Sequence, residues 1–510
     1  MFIDLTESLP ESELQFDVCI AGAGAAGIAI ARKLERPGLR VALVESGGLE
    51  VESGTQGLAA GSNAGLPYMS LERSRLRRFG GTTGHWGGQS IPLDKEDFAP
   101  RAWVPHSGWP IAYRDLMKHM NEAAGYCGVP AGGYEWADIQ SESGPEFPLP
   151  GASFTGIIMR FSDPLRDFGD YFYRDIDRSQ TTTCLLHANV TEIVPNEAGD
   201  RISHLRVANL GGREYKIKAR RFVLACGAIE NARLMLASRR QHPDGLGNRN
   251  GLVGRFFMEH PSFDTGLISI SDMRSARHLV DPWLQRDNHT VRLDFKLQAA
   301  VQKSLKILNH SAYFVSPRVR RLNMTEEIGA LDRLWRRLRR QANRLFEDDD
   351  TEPEERAAET TFKLRIRLEQ APNPDSRVKL ASDTDRFGKP LAEVAIRFGE
   401  AEGRTVGAIQ EELAAQLGKA GLGRMRIDVD GSGDEWQERL GWQNHHCGGT
   451  RMHSSPREGV VDENCRVFGI DNLWIAGSSV FPCSGHANPT MNLVALALRL
   501  GEHLRGETGT

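Results

Sequence analysis

The chain has 510 residues, more than one compact core usually organises, so two or three domains are expected. A formal net charge of -4 gives no electrostatic pull toward nucleic acid or an anionic membrane, and no apolar run reaches the length of a membrane-spanning helix. The seven cysteines are scattered without a CxxC pair, which argues against a disulfide scaffold or a metal site; with no leader-like block before Phe16, a cytoplasmic protein is expected.

Phe16 to Ile20 is a short, largely apolar run that breaks into Ala21-Gly22-Ala23-Gly24-Ala25-Ala26-Gly27. Gly22 permits a tight turn, Gly24 lets the backbone approach a pyrophosphate, and Gly27 lets helix and strand pack closely. The helix that follows, Ile28 to Leu34, aims its first amides at the phosphates. A second strand, Arg40 to Val44, ends in Glu45 followed by Ser46, about twenty residues on, where an acid accepts ribose hydroxyls. Strand, glycines, helix, strand and acid in this order predict a dinucleotide site. The motif alone does not separate NAD from FAD.

Downstream, Arg78 to Gly88 is a glycine-dense loop whose small residues let backbone amides lie against a flat, anionic ring system. Gly81, Thr82, Thr83, His85, Trp86, Gly87 and Gly88 are its candidate contacts. Thr182 to Ile217 alternates apolar and polar residues in places, as in a small antiparallel sheet that includes Val190. Arg221 to Leu224 reads as a buried strand that turns at Gly227 into a helix through Ser238, with Glu230 near its start.

From Ser262 to Trp436 the texture changes to a sheet-plus-helix pattern, with strands at Thr290 to Phe295 and Phe362 to Leu368 and a helix at Val406 to Leu417. The arginine-rich stretch Leu331 to Arg340 has helical apolar spacing and reads as a solvated helix balanced by the acids Glu347 to Asp350. The chain then returns to cofactor-type sequence. Leu473 to Ser479 is a buried strand entering a small-residue turn at Gly477 and Ser478, and Pro489 to Leu500 is a helix. The expected organisation is a cofactor domain built from both ends, residues 1–261 and 436–510, around a substrate domain at 262–435.

Six motifs in order resemble the glucose–methanol–choline (GMC) oxidoreductase family. They are Gly22-x-Gly24-x-x-Gly27 with Glu45; Gly80-Gly81-Thr82-Thr83 with Trp86-Gly87-Gly88; Gly227 to Arg233; Ala371 to Val378; His446 to Thr450; and Asn488-Pro489-Thr490. The resemblance implies an α/β fold with a Rossmann-like FAD-binding domain and a substrate domain of antiparallel sheet and helices. It implies FAD as cofactor, His446 as the active-site base and Asn488 as its partner. The His–Asn pairing is similar to the branch with pyranose oxidases, bacterial glycoside oxidases and aminoglycoside dehydrogenases. That implies a sugar, glycoside or glycosylated natural product as substrate, oxygen or a quinone-like compound as electron acceptor, and an oligomer as an option.

Those residue types suit alcohol oxidation. A neutral imidazole takes the hydroxyl proton as hydride leaves the adjacent carbon, and an amide orients the oxygen without competing as a base. His445 is an alternative base by a one-residue slip, while His453, His486 and Gln370 are candidates for the pocket wall. His85 stands where pyranose oxidases carry a histidine bonded to the flavin, so a covalent link is possible. Alternatives are a non-sugar alcohol as substrate, or a non-redox lyase of the same fold. An aromatic-ring monooxygenase is disfavoured, because a Gly-Asp turn would be expected where Ala476-Gly477-Ser478-Ser479 stands.

Overall fold

The computed structural model describes residues 1–7, 11–130, 132–140, 147–149, 151, 153–286, 289–316 and 360–507. The arginine-rich stretch 331–340 and the acidic run 347–350 lie outside them. One large sheet carries the order Phe2–Asp4, Thr182–Leu186, Val41–Val44, Glu13–Ala21, Glu214–Leu224, Ile202–Ala208, Asn189–Pro195, with Leu473–Ile475 paired to the end of Glu214–Leu224. Its first five strands run parallel to one another, and Leu473–Ile475 runs parallel to Glu214–Leu224. Parallel neighbours need a crossover, and the helix Ala25–Lys33 supplies one between Glu13–Ala21 and Val41–Val44. Helices on the sheet require apolar strands, and Val18, Ile20, Val41, Leu43, Val223 and Leu224 are all buried.

The antiparallel reading of 182–217 holds for Asn189–Pro195, Ile202–Ala208 and the first half of Glu214–Leu224. Thr182–Leu186 instead runs parallel to Val41–Val44. Its buried Cys184, Leu185 and Leu186 complete the interior of the parallel sheet, which a half-exposed hairpin strand would not do.

A second sheet, antiparallel throughout, has the order Gly423–Ile427, Pro261–Ile270, Thr361–Leu368, His310–Val315, His289–Leu297, Phe154–Phe161, Gln89–Ser90. The helix Glu400–Lys419 buries Val406, Ile409, Leu413 and Leu417 in one core with Ile268, Phe295 and Ile366 from this sheet. That spacing puts one helical face on the strands. Pairing crosses residue 261, since Gln89–Ser90 and Phe154–Phe161 join the second sheet from upstream. A third, small sheet joins Arg377–Thr384 and Pro390–Ala395 to Gly61–Asn63, and its Val378 and Val394 belong to the core of the first sheet. The C-terminal helix Pro489–Glu507 packs against Ala25–Lys33.

Candidate active site

Four turns at the carboxyl ends of the parallel strands face one cavity of about 470 Å³. They are Gly22 with Gly24–Ala26, Glu45 with Ser46, Ala225–Glu230, and Gly477 with Ser478. This edge is where open α/β sheets bind ligands. Gly22 has φ +102°, and a Cβ on it would lie 2.5 Å from the Ala225 carbonyl oxygen, so no other residue fits. Gly27 is not on the wall; a Cβ there would meet the Gly22 carbonyl at 1.9 Å, which is the close helix-to-turn contact expected of the third glycine. Glu45 accepts the Ala23 N–H at 2.9 Å and the Gly47 N–H at 3.0 Å, which holds its carboxylate at the cavity. Burial raises its pKa, and those two bonds oppose the rise.

Gly81, Thr82, Thr83, His85, Trp86, Gly87 and Gly88 line the same cavity, as do Val190, Pro489 and Thr490. The loop is pinned from behind. Thr83 Oγ1 donates to the Gly80 carbonyl at 2.7 Å and accepts the Phe168 N–H at 3.1 Å, while Trp86 Nε1 donates to the Arg166 carbonyl at 2.8 Å. His85 Nε2 is enclosed with no hydrogen-bond partner, and burial lowers the pKa of the ring, keeping it neutral. A glycine cradle with one orphaned ring nitrogen fits a flavin, whose binding would give that nitrogen a neighbour. Glu230 reaches the cavity with its carboxylate already engaged by Arg233 at 2.6 Å, Arg77 at 2.9 Å and Arg75 at 3.4 Å. Its side chain therefore holds arginines, and Arg75 and Arg77 reach the cavity with it.

His445, His446, Asn488, Gln89 and Trp442 line the same cavity. The two histidines follow the short strand Gly441–Trp442, and Asn488 immediately precedes the helix Pro489–Glu507. Adjacent in sequence, the histidines enter separate hydrogen-bond chains. Arg367, buried at the end of Thr361–Leu368, donates to Asn488 Oδ1 at 2.9 Å and to Gln89 Oε1 at 3.0 Å. A guanidinium only donates, so the Asn488 amide must turn its oxygen to Arg367 and its NH2 the other way. That NH2 lies 3.2 Å from His445 Nε2, which must accept. His445 then carries its proton on Nδ1 and donates across 2.9 Å to His260 Nδ1, and His260 Nε2 donates to the Gly485 carbonyl at 2.8 Å. Each member is committed, and burial with neighbouring cationic groups holds both rings neutral, His260 at about 3 and His445 also well below the usual histidine range.

His446 belongs to a different chain. Its Nε2 lies 2.8 Å from the Tyr68 hydroxyl, which is 2.6 Å from Glu259 Oε2. Glu259 is fully buried and accepts the His260 and His445 N–H groups through its other oxygen, at 2.8 and 2.7 Å. Burial raises its carboxyl to about 7. Burial, with Arg75 and His85 adding repulsion, lowers His446 to about 3, so its imidazole is neutral. The Ser478 hydroxyl donates to the His446 carbonyl at 2.6 Å and ties this segment to the cofactor turn.

Three expected wall residues lie elsewhere. His486 is buried away from the cavity, 3.3 Å from Asp94 Oδ2, in a polar cluster with Lys296 and Asn309. His453 is half-buried, and its Nδ1 accepts the Ser455 N–H at 3.1 Å. Gln370 is fully buried, accepting the Glu259 N–H at 2.9 Å and donating to Ser376 Oγ at 2.9 Å. None of the three lines the cavity; His453 and Gln370 have hydrogen-bond partners of their own, and His486 has its ion-pair contact with Asp94. The sequence reading did not single out Tyr68, Glu259, Arg367, Gln89 or Arg75. The one available signal was the charged pair Glu259-His260 wedged between Phe256-Phe257-Met258 and Pro261, where an apolar residue would otherwise suit the interior.

Residues 372–497 match the profile of the GMC oxidoreductase family. Over nearly its full length the chain is similar to the 6'''-hydroxyparomomycin C oxidase of Streptomyces lividus, 27% identical over 95% of this chain and 90% of that protein. It is also similar to the paromamine 6'-oxidase of Streptomyces fradiae, 24% identical over 96% and 92%. Its fold matches that of a formate oxidase variant from Aspergillus oryzae with a TM-score of 0.58 at 15% identity, covering 98% of this chain and 99% of that one. Fold, cofactor cradle and family profile define a GMC-type flavoprotein oxidoreductase. Residues 372–497 match that family's profile, and the chain is a flavoprotein oxidoreductase with FAD as its cofactor.

Proposed function

We propose that this enzyme oxidises a hydroxyl group of a sugar, glycoside or glycosylated natural product to a carbonyl. Bound FAD supplies the hydride acceptor. In this reading Gly22, Gly24, Glu45 and the 81–88 loop hold the cofactor, His446 removes the hydroxyl proton, and Asn488 holds the oxygen. The carrying observation is that His446 and Asn488 line the same cavity as the dinucleotide turns; the histidine in hydrogen-bond contact with the Asn488 amide is not His446 but its neighbour His445, at 3.2 Å. Similarity to two aminoglycoside oxidases along nearly the whole chain supports the substrate class. The electron acceptor in this reading is oxygen or a quinone-like molecule. Among the described residues no helix is long and apolar enough to cross a membrane, and all seven cysteines are free, which supports a reducing, cytoplasmic setting.

An anaerobic screen of sugars, glycosides, polyols and aryl alcohols tests the proposal through bleaching of the flavin's visible absorbance. Bleaching by a sugar or glycoside is expected. Turnover of simple aliphatic or aryl alcohols alone would overturn the substrate class, and no bleaching by any alcohol would overturn the reaction.

A further inference from the structure

From the contact of Tyr68 with both His446 and Glu259 we infer that Glu259 is a buried proton acceptor acting through Tyr68 on His446, so that the proton removed from the substrate hydroxyl comes to rest on Glu259. The inference deepens the proposed reaction and rests on His446 being its base. Tyr68 has one hydroxyl proton and two partners, at 2.8 Å and 2.6 Å, so the chain has two self-consistent arrangements. With Glu259 ionised, Tyr68 donates to Glu259 and His446 Nε2–H donates to Tyr68, which leaves the lone pair of Nδ1 as the basic site. With Glu259 protonated, its O–H donates to Tyr68, Tyr68 donates to His446 Nε2, and the His446 proton sits on Nδ1.

Proton removal converts the first arrangement into the second. The substrate O–H bond breaks and an N–H bond forms at His446 Nδ1. The Nε2 proton passes to the Tyr68 oxygen, the Tyr68 proton passes to Glu259 Oε2, and the carboxylate's negative charge is thereby passed to the substrate oxygen without leaving a charged ring. His446 and Tyr68 end neutral, and one proton has been relocated. The chemistry asks for such a partner. An imidazole held near 3 is a poor resting place for a proton at neutral pH, whereas a carboxylate near 7 is matched to it.

The groups facing Glu259 fit this role. Its remaining oxygen takes two backbone N–H groups, from His260 and His445, which keeps the carboxylate in place in either state. The titratable side chains close by are Tyr68, His446 at 3.9 Å, and the Cys447 thiol, raised by burial. Arg75 faces Tyr68 and His446 and disfavours positive charge on the ring, driving its proton onward. Tyr68 itself comes from the 61–70 segment and is positioned by its edge-on contact with Trp442 at 5.1 Å, while Trp442 Nε1 donates to the Pro67 carbonyl at 2.8 Å.

Infrared pH titration of the holoenzyme, without substrate, tests the inference directly. Among the protonated-carboxyl stretches that appear as pH falls through about 7, to which Asp97 and Glu402 also contribute, one is expected to be lost in Glu259→Gln and to shift to higher pH in Tyr68→Phe, which removes a bond that favours the anion. With a substrate that bleaches the flavin, Tyr68→Phe is expected to slow reduction by roughly a hundredfold, the low end of what a positioned proton acceptor contributes. It is also expected to remove the loss of rate on acidification through pH 7. A carboxyl titration near neutrality that Glu259→Gln leaves unchanged, or a wild-type rate and pH profile in Tyr68→Phe, would overturn the relay while leaving alcohol oxidation standing. Since the infrared titration needs no substrate, it separates failure of the relay from failure of the proposed reaction.

Discussion

His445 and His446 are neighbours in the chain, line one cavity and are both buried and neutral, yet they stand in opposite kinds of hydrogen-bond chain. The His445 chain begins at Arg367, which can only donate, so the direction of every bond through Asn488, His445 and His260 to Gly485 is set. The His446 chain ends at Glu259, which can hold or release a proton, so its bonds can reverse. His445 has its tautomer fixed, with the Nε2 lone pair turned to the Asn488 amide. A histidine whose partner can exchange a proton is equipped for acid–base work. The terminal residue of each chain, not the imidazole, makes the difference.

Removing each histidine breaks or sharpens that contrast. His446→Ala is expected to slow flavin reduction by roughly a hundredfold or more, the usual scale for loss of a general base, measured by anaerobic stopped-flow absorbance. His445→Ala is expected to leave more of the rate and to act through Asn488, whose NH2 loses its acceptor. If His445→Ala is the more damaging for the rate and His446→Ala is benign, the roles are reversed.

Arg367→Met comes next in size. It frees the Asn488 amide to flip and leaves its oxygen without the buried donor, so the rate of reduction is expected to fall about tenfold with a rise in KM, in line with the 1–3 kcal/mol of an unsatisfied buried group. Arg367→Lys, which can donate to one of the two acceptors, is expected to recover part of the loss. Equal rates and KM for wild type and Arg367→Met would show that Asn488 needs no such clamp.

A third test reads stability. The folded-state pKa of Glu259 is raised from the ordinary carboxylate value to about 7 by burial. A raised folded pKa means its contribution is fully present below the unfolded pKa and is lost as pH rises through about 7. The stability difference between wild type and Glu259→Gln is therefore expected to move against wild type from about pH 4.5 to 7, by a few kcal/mol at most, in denaturant titrations. His445→Gln is expected to show the opposite slope, because a folded-state pKa held below the usual histidine value costs wild type stability as pH falls below about 6.5.

The smallest expected change concerns His85. Acid precipitation decides whether its orphaned Nε2 is bonded to the flavin, with yellow colour retained in the pellet if so and released to the supernatant if not. His85→Ala is expected to release the colour in either case.

How much of this was legible in the sequence follows from the range over which each feature is encoded. The dinucleotide turn, Glu45 and the 81–88 loop are read locally, because positive φ at Gly22 and a run of small residues leave direct marks in a short window. The residues of the His446 chain come from three distant places, Tyr68, Glu259 and the C-terminal segment, and no local pattern ties them together. His486 and Gln370 were expected at the wall because polar residues near a motif suggest function. Their own burial supplied partners instead, Asp94 for one and Ser376 for the other. Thr182–Leu186 looked like a hairpin strand because its alternation resembles its successors', and only the interior of the parallel sheet explains where it goes. Arg367 was hidden by a strand that alternates basic and apolar residues, a pattern normally read as one solvated face.

The contrast between the two histidines is tested most directly by ring-nitrogen chemical shifts of selectively labelled histidine in the holoenzyme, assigned with His445→Gln and His446→Gln and followed from pH 5 to 9. His445 is predicted to keep its proton on Nδ1 throughout. His446 is predicted to carry it on Nδ1 below about pH 7, where Glu259 is protonated, and on Nε2 above. A His446 tautomer that never changes, or a His445 tautomer that does, would contradict the account.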